Sequence, residues 1–137
     1  MEASILAAKL KLRPGDRAAL IGAPEDYRDE LEPLPEGVEL STALDGAYDW
    51  LQVFAATRAD LERLAPALPS ALKPGGRLWI SFPKGESGRQ ADLTRDKGWE
   101  PMASLDLKWI SLVSVDETWS AFALRHHKPG EERRPWR

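Results

Sequence analysis

Short apolar runs alternate with helix-forming segments along most of this chain, and this alternation limits the folds that it can adopt. The strand-like runs cover residues 18–21, 38–44, 48–56 and 77–82. Runs of this length with β-branched and aromatic residues favour buried strands, and parallel strands require a crossover between them. The pattern therefore predicts a single α/β domain in which a mostly parallel sheet lies between two layers of helices.

The helix-forming segments are short, and most of them end at proline or glycine. They cover residues 3–10, 25–31, 57–72 and 89–97. Thr57 followed by Asp60 is typical of a capping box at the start of a helix. Pro66 and Pro69 lie inside the same segment, so we expect that helix to kink or split.

The C-terminal part of the chain has a different pattern. Residues 107–115 and 119–125 are strand-like, and only residues 116–118 separate them. Two strands joined by so short a turn pair as an antiparallel hairpin. We therefore assign residues 1–125 to one domain, and residues 126–137, which are polar and contain proline, to a flexible tail.

The composition excludes several classes of function. A net charge of −3 argues against a surface that binds nucleic acid or an anionic membrane, and no apolar stretch approaches the ~20 residues that span a bilayer. The chain has no cysteine, and its two histidines, His126 and His127, fall in the predicted tail, so we expect no disulfide and no metal site. There is no signal-peptide pattern, and we expect a cytoplasmic protein whose partner is a small molecule or another protein.

Three segments resemble motifs of the Rossmann-like methyltransferases. The segment LRPGDRAALIG at 12–22 is similar to the lead-in to the first motif of these enzymes. The segment YDWLQVF at 48–54 is similar to their fourth strand, and LKPGGRLWI at 72–80 is similar to the turn that enters their fifth strand. More narrowly, the chain resembles a small bacterial family of unknown function through Pro83-Lys84, Asp92 and residues 116–119. The resemblance implies a bacterial protein with Rossmann-like, methyltransferase-like topology over residues 10–125.

The resemblance breaks in the loop that would hold a cofactor. Methyltransferases of this type place an acidic residue and then several glycines at the end of the first strand, whereas this chain has Leu20, a single Gly22, Ala23, Pro24 and Asp26. Proline has no N–H to donate, and negative charge at a helix start repels an anion. Residues Gly22, Ala23 and Pro24 remain the candidate cofactor loop. The expectation is that the chain takes no cofactor, with S-adenosylmethionine as the option that stays open.

A second group of candidate residues follows from the predicted topology. Ligands of open α/β sheets lie beyond the carboxyl ends of the parallel strands, and the hairpin turn would lie at the same edge. We therefore expect one cleft for a small anionic or zwitterionic ligand, lined by Lys84, Arg89, Asp92, Asp116, Glu117 and Trp119. The alternative is that Lys84 forms an ion pair with the hairpin carboxylates and only holds the loop in place.

Three hypotheses about function follow from a chain that resembles methyltransferases in its strands but not in its cofactor loop. The leading hypothesis is a non-catalytic, methyltransferase-like module that binds a small molecule or a protein and has a regulatory role. The alternative is an enzyme, either a divergent S-adenosylmethionine-dependent methyltransferase or another small-molecule enzyme that uses Lys84, Asp92 and Glu117. A third hypothesis is a homodimer formed through the hairpin edge, because an unpaired edge strand can pair with another chain.

Overall fold

The computed structural model describes residues 3–132, and within them the strands form one six-stranded sheet. Its strands are β1 (Arg17–Ile21), β2 (Glu39–Ser41), β3 (Tyr48–Phe54), β4 (Leu72–Pro83), β5 (Leu107–Ser114) and β6 (Trp119–His126). The order across the sheet is β2-β1-β3-β4-β6-β5, with the first four strands parallel and β6 antiparallel to both of its neighbours. The predicted α/β fold with a C-terminal antiparallel hairpin is confirmed.

The helices are short, as the sequence predicts. They are α1 (Ile5–Lys9), α2 (Tyr27–Leu31), α3 (Arg58–Leu64) and α4 (Leu68–Ala71). The Thr57 hydroxyl accepts the N–H of Asp60 at 3.1 Å, and the Asp60 carboxylate accepts the N–H of Thr57 at 3.2 Å, which completes the predicted capping box at the start of α3. The expected split also occurs, because a 3₁₀ turn containing Pro66 separates α3 from α4, whose first turn contains Pro69.

The helix predicted over residues 89–97 does not form. The segment folds as a series of bends, in which the N–H of Thr94 donates to the carbonyl of Lys97 at 3.0 Å. The Thr94 hydroxyl accepts the N–H of Asp96 at 3.2 Å, so a side chain takes the place of a helical backbone acceptor. Gly88 and Gly98 have positive φ values of 75° and 93°, which end any regular helix on both sides.

Strand β4 begins earlier than predicted. The sequence predicts a turn at residues 73–76 before a strand at 77–82, whereas the strand starts at Leu72, which pairs with Tyr48. Gly75 has a φ of 88°, and the register shifts between Tyr48 and Trp50. The turn residues therefore form an irregular entry to a long strand.

Both faces of the sheet are buried. Along β3, Leu51 and Val53 belong to the core cluster on one face, which includes residues of α3 and α4, whereas Trp50 belongs to the cluster on the other face, which includes residues of α1 and α2. Alternation of side chains along a strand produces these two cores. Trp50 and Trp79 donate their indole N–H groups to one acceptor, the carbonyl oxygen of Leu10, at 2.8 and 2.7 Å. These two bonds attach the end of α1 to the sheet.

The crossover from β2 to β3 has no helix. Residues 42–47 connect these parallel strands, which lie on opposite sides of β1. Leu44 packs against the core cluster that contains Leu51. A parallel crossover usually takes about a dozen residues or more, so this connection is a shortened one.

The C-terminal residues that the structure describes are attached to the hairpin. His126 belongs to β6, one residue past the predicted boundary, and its Nε2 lies 2.7 Å from the carbonyl oxygen of Leu72. Hydrogen bonds from Arg125 and Lys108 hold the pKa of Glu131 well below its usual range. The last five residues of the predicted tail lie outside the described residues, and the division at residue 125 stays a prediction.

No helix within residues 3–132 has the length and apolar character needed to cross a membrane.

Candidate functional site

The carboxyl ends of β1, β3 and β4 meet the hairpin turn at one edge of the sheet. Pro83, at the end of β4, pairs with Trp119, the first residue of β6. The chain runs outward from β1 to β2 and then returns to β3 on the other side of β1. That reversal is a topological switch point, where open α/β sheets have a crevice for ligands. The edge therefore offers two places for a ligand: the crevice between β1 and β3, and the region beyond β4.

Aromatic side chains of the protein fill the crevice between β1 and β3. The ring of Phe54 lies edge-to-face with Tyr27 at 4.7 Å and with Trp119 at 5.0 Å between centroids. All three side chains are buried. Gly22 has a φ of 73°, and a Cβ added there would lie 3.3 Å from the carbonyl oxygen of Phe54. The backbone after β1 thus approaches β3 closely, and the space between them is packed.

Carboxylates surround this aromatic group. Burial, followed by the nearby Asp116 carboxylate, raises the pKa of Glu30, and Asp26 adds to the effect. Asp116 itself is held in the hairpin turn, where its Oδ1 accepts the N–H groups of Thr118 and Trp119 at 2.8 and 2.9 Å. At neutral pH this part of the edge is therefore negatively charged and repels anions.

Replacing Glu30 by glutamine is expected to raise the melting temperature at pH 7. The folded-state pKa of Glu30 is above its unfolded value, so the protonated form contributes stability below the unfolded pKa, and that contribution is lost as the pH rises through the folded pKa. Glutamine cannot ionise, so the variant lacks the unfavourable negative charge of the Glu30 carboxylate. Thermal unfolding followed by circular dichroism at pH 7 and pH 3.5 measures the effect.

The control for this prediction is Glu32→Gln. Glu32 is exposed and forms an ion pair with Arg28 at 3.4 Å, which the substitution by glutamine would remove. We expect Glu32→Gln to leave the melting temperature unchanged or slightly lower. A lower melting temperature for Glu30→Gln at pH 7 would contradict the arrangement of carboxylates described above.

The second place at this edge is an open cavity of 590 Å³ beyond the end of β4, which we call the Lys84 cleft. It is lined by Phe82, Lys84, Gly85, Glu86, Gln90, Thr94, Arg95, Asp96, Lys97, Leu112 and Ser120. Cavities that hold small molecules have volumes of about 300–1,000 Å³. The Lys84 cleft has the size of a ligand site.

Local contacts fix the wall of the Lys84 cleft. Leu93 and Trp99, which flank the lining residues 94–97, are buried. The Trp99 indole donates to the carbonyl of Thr94 at 2.6 Å and packs edge-to-face on Phe82 at 5.4 Å between centroids. The Gln90 amide donates to the carbonyl of Pro83 at 2.9 Å. The cleft is thus built before any ligand arrives.

Two lysines in the Lys84 cleft have no carboxylate partner. Lys84 donates to the Ser114 hydroxyl at 2.6 Å, and within residues 3–132 neither Lys84 nor Lys97 has a carboxylate oxygen within 4.0 Å. Arg95, by contrast, pairs with Asp96 at 3.3 Å. The ion pair expected between Lys84 and the hairpin carboxylates is therefore not formed, and no carboxylate in the described part of the chain pairs with Lys84.

The residues predicted to form one cleft lie in different places. Lys84 lines the Lys84 cleft, and its backbone N–H donates to the carbonyl of Thr118 at 2.8 Å, which attaches it to the hairpin without the expected ion pair. Asp92 instead accepts the N–H of Arg58 at 2.9 Å, at the start of α3. Arg89 and Glu117 are exposed. Asp116 and Trp119 belong to the filled crevice described above.

Four residues of the cleft are not among the site residues predicted from the sequence: Gln90, Thr94, Arg95 and Lys97. These residues lie in the segment predicted to be a helix, and they line the cleft because that segment bends instead. Glycines at 85, 88 and 98 were the available signal that the segment is a loop.

Solved methyltransferases have a similar fold. The ribosomal protein L11 methylase of Lactobacillus delbrueckii subsp. bulgaricus is 14% identical, with 90% of this chain and 76% of that chain covered and a TM-score of 0.55. An O-methyltransferase family 2 protein from Planctomyces limnophilus, in complex with apigenin, is 12% identical with a TM-score of 0.59. That match covers 83% of this chain and half of that chain's length. No family model and no curated protein matches the sequence.

The comparisons correct the expectation that this chain takes no cofactor. DhpI, solved in complex with SAH, is 14% identical over 88% of this chain and 80% of its own, with a TM-score of 0.57. The glycopeptide N-methyltransferase MtfA, solved with sinefungin, is 10% identical over 88% of this chain and 90% of its own, with a TM-score of 0.54. Those ligands contradict the expectation that a domain of this fold takes no cofactor.

The residues of this chain do not fit an S-adenosyl compound in the β1–β3 crevice as it stands. Gly22 allows the close backbone approach that such a ligand needs, but Pro24 has no N–H to donate. The rings of Tyr27, Phe54 and Trp119 leave the crevice packed. The Lys84 cleft, in contrast, has the volume for a small molecule. At these sequence identities the comparisons establish the fold: the chain is a methyltransferase-like α/β domain.

Proposed function

We propose that this chain is a small-molecule-binding module with a methyltransferase-like fold, that its ligand lies in the Lys84 cleft, and that it acts by binding rather than by catalysis. The observation that carries the proposal is the position of the cleft. It opens at the carboxyl end of β4, at the edge where open α/β sheets bind their ligands, and its volume is 590 Å³.

The rigidity of the cleft wall supports a binding role. Trp99 and Leu93 anchor the bent segment to the core, and the Phe82 ring lies against Trp99. A preformed wall lowers the ordering cost that a ligand must overcome. Phe82 and Leu112 give the cleft an apolar part, whereas Thr94 and Ser120 add hydroxyl groups that can orient a ligand.

The groups near the crevice support binding rather than catalysis. The Tyr27 hydroxyl donates to the buried Gln52 at 2.9 Å, and burial raises its pKa, so it is a poor proton donor at neutral pH. Asp116 is engaged by two backbone N–H groups of its own turn. The polar groups of Tyr27 and Asp116 are therefore engaged in hydrogen bonds within the fold. The bacterial family resemblance, the cytoplasmic location and a homodimer through the β5 edge stay predictions.

Calorimetric titration with S-adenosylhomocysteine, sinefungin and AMP tests the proposal. Leu112→Trp is expected to weaken the binding of the tightest of these ligands by about tenfold or more, because the indole would occupy part of the cleft. Ile110→Trp is the matched control, since Ile110 and Leu112 lie on β5 with the same 41% exposure and only Leu112 lines the cleft. We expect Ile110→Trp to bind like the wild type.

Two results would count against this function. Absence of binding by all three compounds at millimolar concentration contradicts the proposal. So does binding that both tryptophan variants leave unchanged, because the ligand then lies elsewhere. If that ligand were S-adenosylhomocysteine, the divergent methyltransferase would become the better account.

A further inference from the structure

We propose that the Lys84 cleft selects small molecules that carry a phosphate or carboxylate group, which Lys84 and Lys97 bind, while an apolar part of the ligand lies against Phe82 and Leu112. This inference rests on the proposed function and adds the chemical class of the ligand.

The charge of the cleft differs in sign from that of the whole chain. Lys84, Arg95 and Lys97 line it, against the two carboxylates of Glu86 and Asp96, whereas the chain as a whole carries a net charge of −3. With three cations against two carboxylates, the cleft has a small excess of positive charge, which favours small molecules of negative charge. Anions are therefore drawn to this cavity and not to the acidic edge around Glu30.

The ion pairs within the cleft leave two cations available. Asp96 lies 3.3 Å from Arg95, so this carboxylate compensates the one guanidinium of the cleft. Lys84 donates to a neutral hydroxyl, that of Ser114. An ammonium group has three donors, so Lys84 retains hydrogen-bonding capacity for an anionic oxygen, and Lys97 has no carboxylate near it within the described residues.

Backbone contacts fix the positions of Lys97 and Lys84 in the cleft wall. The carbonyl of Lys97 accepts the N–H of Thr94 at 3.0 Å, and buried Gly98 and Trp99 follow it. Lys84 follows the end of β4 and is fixed through its N–H bond to Thr118. The two lysines come from different segments, and both line one cavity. Charge-assisted hydrogen bonds from both would hold a phosphate or carboxylate more strongly than neutral donors could.

The hydrophobic part of the cleft limits the ligand further. Phe82 and Leu112 line the same cavity as the lysines. Phe82 is already buried, but Leu112 is 41% exposed, so an inorganic anion would leave Leu112 in contact with water, whereas a molecule with an aromatic or aliphatic part would cover it. The cleft therefore fits an organic phosphate or carboxylate better than a free ion.

Adenosine and AMP form the matched ligand pair for the test, because they differ only in the phosphate. We expect AMP to bind the wild-type protein about tenfold tighter than adenosine does, and this preference to shrink as the salt concentration rises. Lys84→Met and Lys97→Met are each expected to remove most of the preference and to leave adenosine binding unchanged. Lys9→Met, at an exposed site on α1, is the control and keeps the preference.

The outcomes separate this inference from the proposed function. Equal affinities for AMP and adenosine, with both weakened by Leu112→Trp, would contradict the anionic class but support a ligand in the cleft. A preference for AMP that survives both lysine substitutions would also overturn the inference. Binding that Leu112→Trp does not affect would contradict the proposed function itself. Melting temperatures of the two lysine variants within a few degrees of the wild type show that folding is intact.

Discussion

Replacing Gly98 by alanine is expected to lower the free energy of unfolding by about 3 kcal/mol or more, because strain and overlap coincide at this position. Gly98 has a φ of 93°, a backbone conformation that residues with a Cβ rarely adopt. A Cβ there would overlap the carbonyl oxygen of Asp92 and would lie 3.0 Å from Leu93 Cδ1. Urea unfolding followed by tryptophan fluorescence measures the loss, which we expect together with weaker ligand binding in the Lys84 cleft.

Gly88→Ala is the control that separates overlap from backbone strain. Gly88 is in the same segment and has a φ of 75°, but a Cβ there would meet nothing within 4 Å. We expect it to cost about 1 kcal/mol, the usual penalty for a left-handed alanine. Equal losses in the two variants would show that the contact with Asp92 does not determine the path of this segment.

Replacing Gln52 by leucine is expected to lower the free energy of unfolding by about 2–4 kcal/mol, because it leaves buried polar groups without partners. Gln52 is fully buried; its Oε1 accepts the Tyr27 hydroxyl at 2.9 Å, and its Nε2 donates to the Ser81 hydroxyl at 2.9 Å. Leucine can replace neither bond. Chemical unfolding of the variant measures the loss.

The double variant Gln52→Leu with Tyr27→Phe tests the cause of that loss. Phenylalanine has no hydroxyl to satisfy, so the second substitution should cost less in the Gln52→Leu background than in the wild type. We expect a coupling free energy of about 1 kcal/mol or more between the two sites. Additive losses would mean that the Tyr27–Gln52 hydrogen bond contributes little to the stability of the crevice.

Much of the fold is predictable from the sequence because local patterns and tertiary packing agree there. The run 48–54 alternates between two buried faces, and the hairpin follows from the short turn at residues 116–118. Thr57 and Asp60 start α3 through contacts within a single turn. Where the contacts that decide the structure are local, sequence reasoning needs no knowledge of distant residues.

The segment 89–97 could not be predicted in this way, because distant contacts decide its path. Trp99 packs on Phe82 and Phe122, and Asp92 binds the backbone at Arg58, 34 residues away. Helix-forming residues in the segment are overridden by these tertiary contacts. Five of the eleven residues that line the Lys84 cleft come from this segment, and of all eleven only Lys84 was identified from the sequence.

The expectation that the chain takes no cofactor was drawn from a single loop, the one that follows β1. The missing glycines after Gly22 and the presence of Pro24 argued for no cofactor. Two solved proteins with this fold are complexes with SAH or sinefungin, and they contradict that expectation. Which ligand this chain binds depends on its own site residues. Because Tyr27, Phe54 and Trp119 pack together in the crevice, we place the ligand in the Lys84 cleft instead.

Two-dimensional amide NMR of the ¹⁵N-labelled protein during titration with AMP tests the location of the ligand most directly. We predict that chemical shift changes concentrate in residues 84–97 of the cleft wall and at Leu112 and Ser120 on the hairpin. Changes concentrated instead at Gly22, Tyr27 and residues around the end of β3 would place the ligand in the crevice and contradict a ligand site in the Lys84 cleft.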